Sequence, residues 1–488
     1  MLIMPTPPRK NRPGNPAKTA KPQPAPPTKT APAKGPASPY SARPAAANAG
    51  SAGPTAFARV SRRASESLRD GHLWVYASDV EHLEFKKDAE PPALIPVVDN
   101  RGIPLGTALL SPNSQITLRL VSREIIDEKA WLTLLSERIH TAIDRRRPLL
   151  NADNDAARLV FSEADNLPGL IIDKYANIVI LQLLSKGLDT AATRKACIET
   201  LSKSLSDPSL TIWERPDPRI RQLEDLSAPS TEPLYTRGEA VSSTTFHLNG
   251  LSFHFDASSG QKTGAFLDQR QNYAAAAHWA QAYDAKRVLD VCTYQGGFAL
   301  HLARVCTHIT AVDASHASLE VAERNLEVNR SLIPAETEVE WIEADAFDLL
   351  RDWARDSSKQ ASFNKESDEG KEKREKSETA TNIPNFDLIV LDPPAFAKSK
   401  RAVEGALRGY KELNLRALQL LKPGGLLITC SCSHHVSLAD LESAVASAAV
   451  DAHRRVTLLE RRGAALDHPV LLNLPETEYL KCLICQVD

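Results

Sequence analysis

The stretch from Arg287 to Asp313, RVLDVCTYQGGFALHLARVCTHITAVD, constrains the fold more than any other part of the chain. Its pattern predicts an apolar strand (Val288 to Val291), a tight turn holding Gly296 and Gly297, a helix, and a second strand ending on Asp313. Two strands joined by a helix make the βαβ unit of a parallel, doubly wound sheet. A turn without bulky Cβ atoms lets backbone approach a ligand, and an acidic residue about 20 positions further on can accept hydrogen bonds from ribose hydroxyls. The spacing therefore points to a nucleoside-bearing cofactor. The glycine pattern narrows the choice. A dinucleotide fingerprint reads G-x-G-x-x-G, and Cys292 and Tyr294 stand here where two of those glycines belong. The pyrophosphate cradle is degraded, whereas a cofactor without phosphates can still sit there. S-adenosylmethionine is such a cofactor.

The same grammar continues downstream. Val339 to Ala344 reads as a third strand and runs into Asp345. Phe386 to Leu391 is an apolar fourth, followed by Asp392-Pro393-Pro394-Ala395-Phe396, and Gly425 to Thr429 opens a fifth that runs into Cys430-Ser431-Cys432-Ser433. Ligands of doubly wound sheets bind outside the carboxyl ends of the strands. Asp290, Tyr294, Gly296, Asp313, Asp345 and Asp392 are thus candidate cofactor residues, and Asp392 and Cys432 candidate catalytic ones. The fold class expected is α/β, a Rossmann-like class I methyltransferase domain.

The rest of the chain is organised differently. Residues 1–50 hold eight Lys or Arg, 13 Pro and no Asp or Glu, so the first 55 or so cannot bury a core and are expected to be a disordered basic tail. That tail lacks the apolar core of a signal peptide. No run of about 18 apolar residues occurs, so no membrane span is expected. Seven cysteines without a disulfide-like framework suit a reducing cytoplasm. A mixed-charge, Ser-rich run over 356–385 interrupts the methyltransferase domain as a surface insertion.

Between the tail and the cofactor domain, residues 56–128 show short alternating segments with turn signals, a small β module. Arg59, Arg62, Arg63 and Arg69 lie there beside Trp74 and Tyr76, a composition that suits RNA contact as well as strand packing. An amphipathic helix over 129–147 opens a small α+β domain, 129–235, and residues 236–488 form the cofactor domain.

These residues resemble a known family: the bacterial 23S ribosomal RNA 5-methylcytosine methyltransferases that carry an amino-terminal PUA domain, the RlmI type. The resemblance is carried, in order, by GHLWVY, EADNLPGLIID, GQKTGAFLDQR, the YQGGF turn, LDPPAF and the SCS after the fifth strand. It covers about residue 58 to the end, apart from the insertion. It implies a PUA module that binds RNA, S-adenosylmethionine as cofactor, and 23S-type ribosomal RNA as partner. It also implies that Gly260 to Arg270, Gln269 among them, help enclose the cofactor. Asp313 would hold the ribose, Asp345 the adenine amino group, and Cys432 the target base.

The chemistry stands on its own. C5 of cytosine is a poor nucleophile until a thiolate adds at C6, and a cysteine beside the cofactor is what that route requires. A packed, inert Cys432 would instead favour guanine-N2 methylation, which Asp-Pro-Pro-aromatic motifs also serve without a covalent adduct. Cys430, Cys432, His434 and His435 are too cramped for zinc, and Cys482 and Cys485 should point to opposite faces of a strand. No metal is expected.

Overall fold

The computed structural model describes residues 56–85, 90–215, 218–226, 228–257, 265–356, 385–397 and 399–488. The basic tail and nearly all of the 356–385 insertion lie outside the described residues, as do 260–264 of the expected cofactor-enclosing segment.

Residues 56–128 fold around a six-stranded sheet, in spatial order Trp74–Tyr76, Ile116–Ser122, Pro104–Leu110, Leu94–Val98, Phe57–Val60 and Val80–Glu84. The arginine-rich opening is not a strand throughout. Ser61 accepts from the Ala64 N–H and caps a helix, Arg62–Arg69, whose Ala64 and Leu68 are buried. Three of its arginines are already engaged by carboxylates: Arg62 with Glu66, Arg63 with Asp79, Arg69 with Asp99. The aromatics also differ from a packed strand. Val75 faces the core, while Tyr76 is exposed and the Trp74 indole donates to Glu163 Oε1 at 2.9 Å, joining this sheet to the next one.

A five-stranded sheet follows, in order Tyr235–Thr236, Thr211–Glu214, Ile178–Leu183, Leu170–Tyr175 and Ala156–Phe161. The helix expected over 129–147 runs Glu128–Arg146, with Asp127 as its cap, and buries Trp131, Leu135 and Ile139. A hairpin, Ser243–Leu248 with Leu251–Asp256, seals this sheet against the cofactor domain. Tyr175 stacks on Phe255 at 4.0 Å, and one apolar core runs from Tyr175 through Phe246 and Phe253 to Tyr273 and Phe298.

The largest sheet has seven strands: β1 (Arg287–Val291), β2 (His308–Asp313), β3 (Glu338–Glu343), β4 (Phe386–Leu391), β5 (Leu421–Ser431), β6 (Val456–Arg462) and β7 (Lys481–Val487). Their order is β3-β2-β1-β4-β5-β7-β6, parallel except for β7, which is antiparallel to both neighbours. Helices cover both faces, so the central strands read as unbroken apolar runs. The order reverses between β1 and β4, which makes their carboxyl ends the crevice of the fold.

A buried ionic joint ties the modules together. Arg146 makes a two-pronged pair with Asp165 (2.7 and 2.8 Å) and donates to the Asp467 carbonyl at 3.1 Å. The Asp467 carboxylate meets Arg270 at 3.4 Å and accepts the Arg158 N–H at 3.0 Å. Burial opposes its charge, but His468, Arg270 and that N–H outweigh burial and hold its carboxyl at about 2.

Candidate active site

The turn after β1 bends through left-handed backbone. Cys292 (φ 63°), Tyr294 (φ 52°) and Gly296 (φ 84°) all adopt it, so two non-glycine residues keep the conformation that a glycine fingerprint would favour. A Cβ on Gly297 would sit 2.5 Å from the Tyr273 ring, so that glycine serves packing rather than ligand approach.

The backbone donors of this turn are used internally. Tyr294 N–H donates to Asp313 Oδ2 and Ser315 N–H to Asp313 Oδ1, each at 2.9 Å. Ala299 N–H, in the first turn of the next helix, donates to Asp290 Oδ2 at 2.9 Å, and the Thr293 hydroxyl donates to the same oxygen at 2.6 Å. A phosphate would need these donors; carboxylates hold them instead. Asp290 is fully buried, and its Oδ1 has no hydrogen-bond partner. Burial drives its carboxyl up to about 7 against the two hydrogen bonds that it accepts, with Asp313 adding to the rise. A carboxylate-rich end with no free anion cradle fits a cationic, phosphate-free nucleoside. The residues therefore fit S-adenosylmethionine, with Asp313 placed for hydroxyls because each carboxylate oxygen has a second lone pair. Asp345 lies just past β3 and has a local task too: its Oδ1 accepts the N–H groups of Phe347 and Asp348 and caps the helix over 346–356.

Across the crevice, β4 ends in Asp392. Its Oδ2 accepts from Gln269 Nε2 at 3.0 Å; Gln269 Oε1 accepts from Asn272 at 2.6 Å, and Asn272 Oδ1 accepts from Arg462 at 2.9 Å. This relay aims Asp392 from the helix face behind it. Phe396 of the Asp-Pro-Pro-Ala-Phe segment packs on Tyr410 with ring centres 4.8 Å apart.

Cys432 lies one residue past β5, outside both apolar cores of the domain, with Sγ 3.9 Å from the Pro393 carbonyl. Cys430 is different. It pairs with Cys482 across the β5–β7 ladder and is fully buried; the hydrogen bond to Cys482 and burial raise its thiol well above the usual range. The two cysteines do not share a role. Around Cys432, the Tyr410 hydroxyl lies 2.8 Å from Ser431 Oγ and 3.0 Å from Ser433 Oγ. Tyr479 stacks with His434 at 5.2 Å and donates to Asp268. Tyr410, Tyr479 and Lys481 escape a reading of the sequence, because only the β5–β7 register and the long helix Val403–Leu420 bring them here, and so does Asn272, which the helix Arg270–Ala282 carries. Cys482 and Cys485 fall in separate cores on opposite faces of β7. Among the described residues no three metal-ligating side chains converge, and no helix is long and apolar enough to cross a membrane.

Sheet order, phosphate-free turn and acidic rim together define a class I, S-adenosylmethionine-dependent methyltransferase. Residues 58–123 match the PUA-like domain family. A solved SAM-dependent methyltransferase from Streptococcus mutans shares the fold with a TM-score of 0.67 at 20% identity, covering 88% of this chain and 99% of that one. A methyltransferase solved in complex with SAH gives a TM-score of 0.68 over the same shares, also at 20% identity. The chain is 36% identical to the ribosomal RNA large subunit methyltransferase I of Erwinia tasmaniensis over 86% of its own length and 97% of that relative. It is 34% identical to the Photobacterium profundum protein of the same name over the same shares. This chain belongs to the ribosomal RNA large subunit methyltransferase I family.

Proposed function

We propose that the chain methylates C5 of a cytosine in large-subunit, 23S-type ribosomal RNA, with Cys432 as nucleophile. The relatives' names support the RNA, and the PUA-like module supports a separate surface for it. One observation carries the choice of atom. Cys432 stands at the carboxyl end of β5, outside the packed cores and next to the Asp392-Pro393 turn, whereas Cys430 is consumed in the core. A packed, inert Cys432 was the condition for guanine-N2 methylation.

S-adenosylmethionine supplies an electrophilic methyl group on a sulfonium. The Cys432 thiolate adds to C6, and the C5=C6 π pair moves onto C5 as an enamine. Asp392, aimed by Gln269, donates from its protonated carboxyl to N3, where charge develops, or accepts from the exocyclic amine. C5 takes the methyl group; a base in the site accepts the C5 proton; the C6–S bond breaks, restoring C5=C6 and the thiolate. The target base must leave its stack to reach the crevice, at a cost of a few kcal/mol. Asp313 is assigned to the ribose, and Asp345 to the adenine amino group beyond its capping role. Tyr294 and Gly296 shape the turn beneath the cofactor, and Asp290 braces it. Its seven cysteines, all free, suit the reducing cytoplasm in which such RNA is modified.

Nucleoside analysis of ribosomal RNA treated with the enzyme and cofactor tests the reading. 5-Methylcytidine in the large-subunit RNA is expected. N2-methylguanosine instead would replace it.

A further inference from the structure

Lys481 is a buried cation at the mouth of the site, and the proposed mechanism has not used it. It opens β7 directly opposite Ser431, the last residue of β5, so it lies beside Cys432 by register alone. The residue is 5% exposed, and Nζ donates to the carbonyls of Ser433 (2.7 Å) and Tyr479 (2.8 Å). Ser433 follows Cys432 in the chain, so the ammonium is bonded to the same short segment that carries the sulfur.

A buried ammonium is costly, and two carbonyls do not require one, since a neutral amide could satisfy them. Burial lowers the Lys481 pKa to about 8, while the negative charge available to Cys432 opposes that fall, helped by Glu478 and Asp440. The lysine remains mostly protonated at neutral pH. Burial raises Tyr410 and Tyr479, so both are neutral, and both sense Cys432. Asp392 immediately precedes Pro393, whose carbonyl accepts from the thiol. An ordinary thiol is only a few per cent ionised at pH 7. A cation held beside the sulfur shifts that balance toward the thiolate.

We propose that Lys481 is the positioning residue that keeps Cys432 as a thiolate, its ammonium locked beside the sulfur by the Ser433 and Tyr479 carbonyls. The inference rests on Cys432 being the nucleophile, and it adds how that nucleophile is charged.

The test is the pH dependence of Cys432 alkylation by iodoacetamide, followed on its own peptide by mass spectrometry. Three proteins are compared: wild type, Lys481→Met and Lys481→Gln. Gln keeps donors for the two carbonyls and removes only the charge. Both variants should show an alkylation midpoint moved up by about one pH unit, the lower end of what a neighbouring opposite charge does, and should react more slowly below the wild-type midpoint, by up to about tenfold. Thermal melting with and without S-adenosylmethionine checks folding; if Lys481→Met does not fold, Lys481→Gln decides alone. An unchanged midpoint in Lys481→Gln overturns the proposal, because the lysine would then be a backbone clamp only. Methylation that survives Cys432→Ala would instead overturn the nucleophile reading beneath it, and leave a measured Lys481–Cys432 coupling standing.

Discussion

The two sides of the crevice are held together over very different lengths of chain. On the cofactor side, the hydrogen bonds that fix Asp290 and Asp313 join residues 3, 9 and 19 positions apart. On the base side, Gln269 reaches Asp392 across 123 positions, Lys481 reaches Ser433 across 48, and Tyr479 reaches Asp268 across 211. The first is a local structure that comes with a single βαβ unit. The Lys481 and Tyr479 contacts of the second exist only when the antiparallel β7 and the loop before it are docked, and Asp467 rivets that loop to Arg146, Arg158 and Arg270. Cofactor binding and base chemistry should therefore respond to different mutations.

The largest separation is expected from Asp392→Ala. Removing a group aimed at developing charge costs about 10²- to 10³-fold in rate. Single-turnover methyl transfer should fall by that much, while the cofactor dissociation constant changes far less. Equal losses in both would erase the distinction between the two sides. Asp313→Ala should do the reverse. Hydrogen bonds to a carboxylate are worth about 1.5–3 kcal/mol, so calorimetry should show cofactor affinity reduced about 10- to 100-fold, with the Cys432 alkylation profile unmoved. A smaller effect tests the rivet. The Asp467 carboxyl titrates at about 2 in the folded chain, below its ordinary value of 3.8. Its contribution, about 2 kcal/mol, is thus complete above about pH 4 and is lost as pH falls toward 2. Asp467→Asn should lower urea-unfolding stability by about that amount at pH 7, and the gap to wild type should close in acid.

The same difference in range explains what the sequence could disclose. Asp313 and the tight turn after the first strand were legible, because short spacings encode them; that Cys292 and Tyr294 keep the left-handed backbone was not. So were the strands that end at Asp392 and near Cys432, since unbroken apolar runs mark them. The glycine at 297 was misleading: it is small for the sake of the Tyr273 ring, a contact that no local pattern announces. Trp74 and the arginines around it looked like either an RNA patch or a packed strand. The structure places Arg62, Arg63 and Arg69 on a capped helix, each paired with a carboxylate, and Glu163, in the turn after the strand Ala156–Phe161, takes the indole. Lys481 was invisible for the plainest reason. A lysine at the start of a strand is ordinary until the register shows which residue it faces.

The central claim, that Cys432 attacks the pyrimidine ring, has a direct measurement. With 5-fluorocytosine in the RNA, methyl addition leaves fluorine where the proton must depart, and the protein–RNA adduct cannot resolve. Wild type with S-adenosylmethionine should give a denaturation-resistant complex whose cross-linked peptide contains Cys432, and Cys432→Ala should give none. A complex of equal yield from Cys432→Ala, or none from a wild type that methylates the unfluorinated RNA at C5, would contradict the account.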